Sequence, residues 1–224
     1  MEELKTTQLF DLTESIAADF VATAEYPWQL LPDIGAYVAK LGESLDPEHF
    51  DRVSQCVWIA KSATVATSAA INGPCIIDEG AEIRHGAFIR GNVLVGKRAV
   101  VGNSTELKNC ILFNGVQVPH YNYVGDSILG YKAHMGAGAI ASNVKNNGSK
   151  VTVRARGEAI ATGLKKFGII LGDRAEIGCN SVLNPGTVVG RDAIIYPLSS
   201  VRGFVPADSI YKSEGNIVTR ESAN

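Results

Sequence analysis

The sequence predicts a mainly β protein: a left-handed parallel β-helix of hexapeptide repeats with a small N-terminal helical domain. The first observation is a strict period of six. Ile59, Val65, Ile71, Ile77, Ile83, Ile89, Val95, Val101, Leu107 and Phe113 are all aliphatic or aromatic, and the period returns as Leu171, Ile177, Leu183, Val189, Ile195 and Val201. A helix repeats at 3.6 residues and a simple strand at 2, so fixed self-similarity at six points to a solenoid of short strands and corners. The second observation concerns the position after the spaced residue. Gly96, Gly102, Asn72, Asp78 and Asn114 are small or polar, as a tight corner requires. The third is where the period fails: Val124, Leu129, Met135 and Ile140 are spaced five, six and five. The regular parts read as scaffold, and the irregular middle, 118–168, as the place for chemistry.

Residues 1–55 lack the period and read as a helical cap domain. Asp11 followed by Glu14 resembles a capping box leading into Ile16 and Phe20. Leu30, Leu31, Ile34, Tyr37, Val38 and Leu41 then keep helical spacing up to Gly42. Asp46-Pro47 opens a further short helix carrying Phe50 and Val53. Because solenoids need closed ends, these helices are expected to cap the N-terminal end of the shaft, with Trp28 as the alternative anchor for a partner. Residues 56–205 form the β-helix, with an inserted loop at 143–168. The polar tail, 206–224, is expected to pack loosely or fray.

Composition narrows the function. The 224 residues carry a formal net charge of -2, which argues against a general nucleic-acid partner. No apolar run is long enough to span a membrane and no signal peptide opens the chain, so a cytoplasmic protein without a membrane partner is expected. Cys56, Cys75, Cys110 and Cys179 have no metal-type spacing and read as small apolar fillers near corners.

Three hexapeptides make one triangular coil, so residues 18 apart stack on one face. Arg90 and Lys108 are such a pair. Stacked at about 4.8 Å they repel unless an anion lies beside them. Glu106 is placed to neutralise part of this charge; either the two side chains splay apart into solvent, or they form a phosphate clamp to which Arg84 contributes at an edge. The period breaks at Val118-Pro119-His120-Tyr121-Asn122-Tyr123-Val124-Gly125-Asp126, an ionisable cluster on an otherwise regular shaft. Met135-Gly136-Ala137-Gly138-Ala139-Ile140 then permits close backbone approach by a ligand. The insertion carries Lys145, Lys150, Arg154, Arg156, Lys165 and Lys166 against one acid, Glu158, which suits capture of a multiply phosphorylated ligand.

The segment His120-Tyr-Asn-Tyr-Val-Gly-Asp, followed by Gly-Ala-Gly and Asn143, resembles a known acetyltransferase domain. It is the C-terminal domain of the bifunctional N-acetylglucosamine-1-phosphate uridylyltransferase/glucosamine-1-phosphate N-acetyltransferases (UDP-GlcNAc pyrophosphorylase-related). Archaeal sugar-1-phosphate nucleotidylyltransferases share it. The resemblance covers roughly 57–205. It implies a homotrimer with sites between neighbouring β-helices, acetyl-CoA as co-substrate without a need for Mg2+, and an amino-sugar phosphate resembling glucosamine-1-phosphate as acceptor. That chemistry belongs to sugar-nucleotide and cell-envelope metabolism. It further implies His120 as the catalytic base, and Arg90, Lys108, Tyr123, His134 and Asn143 as acceptor-binding residues. Ala137, Lys150 and Cys179 fall at CoA-contacting positions. His134 stands where the family has an asparagine, and Cys179 where it has a serine. The family's nucleotidylyltransferase domain has no counterpart in 1–55, so uridylyl transfer is not expected.

Other classes make different expectations. A non-catalytic sugar-nucleotide or sugar-phosphate binding protein keeps the Arg90/Lys108 clamp without thioester turnover. A zinc lyase of the γ-carbonic-anhydrase type would use His85, His120 and His134, although the last two are 14 apart where that family's paired ligands are five apart. A purely structural trimer would respond to no ligand.

Overall fold

The computed structural model describes residues 1–220. Three rows of inward side chains build the shaft, one per face. The first row pairs Ile71 with Ile89, then Leu107, Val124, Ala141, Leu183 and Val201. The second runs Val65, Ile83, Val101 and Val118, and continues as Met135, Ile177, Ile195 and Tyr211. The third runs Ile59, Ile77, Val95, Leu112, Leu129, Leu171, Val189 and Val205. All of these ladders are parallel, and stacking each aliphatic side chain on its equivalent removes it from water at every step.

Two expected members of the period are displaced. Leu112, not Phe113, enters the third row, and Ala141, not Ile140, enters the first. Leu112 enters because the step Leu107–Leu112 is five residues, as is Val124–Leu129, whereas Ala141 enters because the step from Met135 is a regular six and not five. Each short step turns through one residue in left-handed conformation, Asn109 (φ 49°) and Asp126 (φ 50°). Asn and Asp tolerate that region better than other side-chain-bearing residues. Phe113, released from the row, meets Phe10 with ring centroids 4.9 Å apart.

The third face differs from the other two. Its strands are apolar on both sides: Trp58, Ile76, Leu94, Ile111, Ile128, Ile170 and Val188 form an outward-pointing ladder that is nonetheless buried. The N-terminal residues cover it. The helix Ile34–Glu43 packs on Cys75–Ile77, Val93–Val95 and Glu106–Leu112, and the short helix Pro27–Leu30 on Tyr123–Leu129. Further along, Trp28 meets Phe167 at a tilt with ring centroids 5.8 Å apart, and the Asp11 N–H donates to Asp173 Oδ2 at 2.7 Å. The helical domain therefore lies along a flank of the shaft and does not cap its end, because without it the outward apolar ladder would face water along successive coils. Antiparallel strands close the ends instead, Phe50–Ser54 on Val57–Ala60 and Asn216–Thr219 on Ser209–Ser213.

Three smaller expectations change with this. Phe50 and Val53 belong to a strand, not a helix. Asp11 accepts from Thr13 N–H, but Glu14 reaches away to Asn114 Nδ2 at 3.1 Å in place of completing a capping box. The coil pattern continues past 205 through Ser209–Ser213, and residues 221–224 of the expected tail lie outside the described residues.

Candidate active site

The break at 118–126 positions a corner and a strand. His120 ends the strand Gln117–His120 and is exposed. Asn122 makes the turn possible: it is buried, its Oδ1 accepts from His120 N–H, and its Nδ2 donates to the carbonyls of Gly136 and Ala139 at 2.9 and 3.2 Å. His120 thus projects from a fastened corner. Backbone bonds place the neighbouring corners in one line: Tyr121 N–H to Asn103, Gly138 N–H to His120, Asn180 N–H to Ala137. His120, Ala137 and Cys179 therefore occupy the same corner of three successive coils. Among the described residues no acceptor takes the Ala137 N–H.

The strands leaving this corner carry the other polar groups. The Ile89–Leu107 register puts Arg90 and Lys108 side by side. Each already has an anion. Arg90 Nη1 lies 2.7 Å from Glu106 Oε1, and Lys108 Nζ lies 3.2 and 3.4 Å from the two oxygens of Asp126. Asn143, at the start of the insertion, donates to Asp126 Oδ2 at 2.6 Å and to Tyr123 Oη at 3.1 Å. Burial, followed by the Asp126 and Glu106 carboxylates, pushes the Tyr123 phenol up, so it keeps its proton as a donor. Gly125 leaves room for this pair, since a Cβ would stand 2.5 Å from Tyr123 Oη and 3.0 Å from Asn143 Nδ2 and would displace them. Arg90, Lys108, Tyr123 and Asn143 are thus brought together, one strand away from the His120 corner.

Two expected site residues are elsewhere. His134 lies on the face before the corner, beside Gln117 and Glu176, with Nδ1 2.8 Å from Glu176 Oε2. Lys150 is exposed in the insertion, where its carbonyl accepts from Lys145 Nζ. The insertion is not a plain loop but an antiparallel hairpin, Thr152–Ala155 on Glu158–Ala161, whose Val151 and Val153 are buried. Between this hairpin and the coils is a cleft of about 440 Å³ containing Lys145, Arg154 and Arg202 and no acid. Arg202 has no signal in the sequence because it lies far from the insertion in the chain. Asp126 was visible only as the last letter of a motif. His85, His120 and His134 do not converge: His85 Nδ1 faces Ser68 Oγ at 2.7 Å, and among the described residues no cluster of three His, Cys, Asp or Glu could hold a metal.

The model of the GMPPB C-terminal domain matches residues 71–160. A "Bifunctional protein GlmU" from Methanococcus maripaludis is 28% identical over 179 residues, covering 71% of this chain and 43% of that protein. A bifunctional sugar-1-phosphate nucleotidylyltransferase/acetyltransferase from Sulfurisphaera tokodaii is 30% identical over 175 residues, covering 70% of this chain and 43% of that protein. The chain is similar to the acetyltransferase part of these GlmU-type proteins. It matches their C-terminal region and spans less than half the length of these curated relatives. A solved hexapeptide transferase family protein from Anaplasma phagocytophilum is similar over 74% of this chain and 81% of that one, with 16% identity and a TM-score of 0.42. No helix among the described residues is long and apolar enough to cross a membrane.

Proposed function

We propose that the chain transfers an acetyl group from acetyl-CoA to the amine of an amino-sugar phosphate. The observation that carries this reading is the corner line of His120, the free Ala137 N–H and Cys179, with Tyr123, Asn143, Lys108 and Arg90 on the adjoining strands. The acceptor amine attacks the thioester carbon, a C–N bond forms, and the amine proton passes to the His120 imidazole. The Ala137 N–H faces the oxyanion. The C–S bond then breaks and the CoA thiolate leaves, so atoms and charge balance without Mg2+. Arg90 and Lys108 hold the acceptor's phosphate while Tyr123 and Asn143 orient its hydroxyls. Lys145, Arg154 and Arg202 hold the donor's phosphates.

His134 and Gln117 lie on the face before the corner, while Tyr123 and Lys108 lie on the face after it. One chain cannot fold both into a single pocket, but a second copy docked across the corner would face one set with the other. A homotrimer built on the two uncovered faces satisfies this, and the third face is closed to it by the helices.

The test is thiol release from acetyl-CoA with glucosamine 1-phosphate as acceptor. His120→Ala should lose roughly 10²–10⁴-fold in kcat. Full turnover by that variant overturns the assignment of the base. Thermal stabilisation by a sugar nucleotide with no thiol release in the native protein would instead establish a binding protein.

A further inference from the structure

A buried carboxylate beside a phosphate-binding lysine calls for an explanation, because it cancels the charge that binding needs. Asp126 is 5% exposed and its side chain is fully engaged. Oδ1 accepts from Asn109 Nδ2 at 3.0 Å, Oδ2 accepts from Asn143 Nδ2 at 2.6 Å, and Lys108 Nζ spans both. These four contacts occupy its acceptor sites and hold the carboxylate in one orientation. Asn109 uses its other amide hydrogen on the Leu31 carbonyl at 3.0 Å, which belongs to the N-terminal helical segment 78 residues earlier. Both Asn109 and Asp126 stand at the two shortened corners and in left-handed conformation. The shortened steps thus bring two corner side chains into line with the N-terminal segment on one side and the Lys108–Tyr123 strands on the other.

We propose that Asp126 is a positioning residue for the acceptor site, and that the N-terminal segment sets its place through the Leu31–Asn109–Asp126 chain. Asp126 fixes the Lys108 ammonium and the Asn143 amide, and Asn143 in turn fixes the Tyr123 hydroxyl. The helical segment that covers the third face is by this route part of the acceptor site, although it contributes no side chain to it. The role of these residues toward an acceptor rests on the acetyl-transfer reading above; the fixing of Lys108 does not.

Asp126→Asn is nearly isosteric and tolerates the left-handed corner. Asn109→Gly keeps that conformation at its own corner and removes both bonds of the bridge. The full chain and both variants are treated with a short pulse of reductive methylation, and Lys108 is followed by peptide mass spectrometry. Lys108 should label roughly tenfold faster in Asp126→Asn, and faster in Asn109→Gly, while exposed Lys132 is unchanged. With glucosamine 1-phosphate and acetyl-CoA, Asp126→Asn should raise the acceptor KM roughly tenfold with kcat within about twofold. A fall in KM would mean that Asp126 only opposes the phosphate, and would overturn the proposal. Labelling of Lys108 at the native rate in Asp126→Asn would overturn it as well. Native labelling in Asn109→Gly would remove the N-terminal link. If the native chain turns over no amino-sugar phosphate, the acetyl-transfer reading fails, and the Lys108 labelling still decides whether Asp126 fixes that side chain.

Discussion

Gly42 lies directly on the ring of Trp58. A Cβ added at Gly42 would fall inside contact distance of the six-membered ring, in the last turn of the helix Ile34–Glu43. This contact holds the end of the helix against the first coil of the shaft. An exposed helical glycine changed to alanine ordinarily gains about 1 kcal/mol. Here Gly42→Ala should lose about 1–3 kcal/mol through overpacking. Urea denaturation followed by tryptophan fluorescence reads the sign, and a gain would show that the helix does not rest on Trp58.

Asp78 is 1% exposed and its Oδ2 has no partner among the described residues. Burial raises its carboxyl above the usual aspartate value, against the opposing Glu79 N–H and the Lys97 charge. A raised folded value means that the folded state binds the proton more tightly than the unfolded chain. The destabilisation is therefore complete above the raised value and is relieved as pH falls toward about 4. Asp78→Asn should raise stability at pH 7 by about 1 kcal/mol, or roughly 2–4 °C in Tm. The gain should shrink between pH 7 and pH 4, and thermal melts across that range check it.

Arg154 comes from the hairpin and Arg202 from the shaft, yet both line one acid-free cleft. If that cleft holds the donor's phosphates, changing both to glutamine should raise the acetyl-CoA KM roughly tenfold or more and leave the acceptor KM unchanged. Steady-state kinetics separate the two. An acceptor effect alone would reassign the cleft.

The four thiols should differ sharply in reactivity. Cys75 and Cys110 are fully buried, and burial pushes Cys75 up to about 12 and Cys110 higher still. Cys179 is exposed at the His120 corner, so the expectation of a corner filler holds for Cys75 and Cys110 but not there. Iodoacetamide on the native chain should modify Cys179 while Cys75 and Cys110 stay unlabelled until it unfolds. Acetyl-CoA should slow the Cys179 reaction, and mass mapping after a timed quench checks both points.

Much of this protein is written in local pattern. A strand shows its alternate residues to the interior, so the period of six announced the shaft, and the Ile89–Leu107 stacking of Arg90 and Lys108 came from coil length alone. Other features depend on groups that meet only when the coils close. The one-residue shortening at Asn109 moved Leu112 into its row and expelled Phe113 toward Phe10. Asp126 met Lys108 18 residues away, Asn109 met Leu31 across 78, and Arg202 joined Arg154. Periodicity reports which way a side chain points, because that is fixed by the backbone around it. It does not report which partner waits there, because the partner is placed by the packing of other coils and of the N-terminal helices.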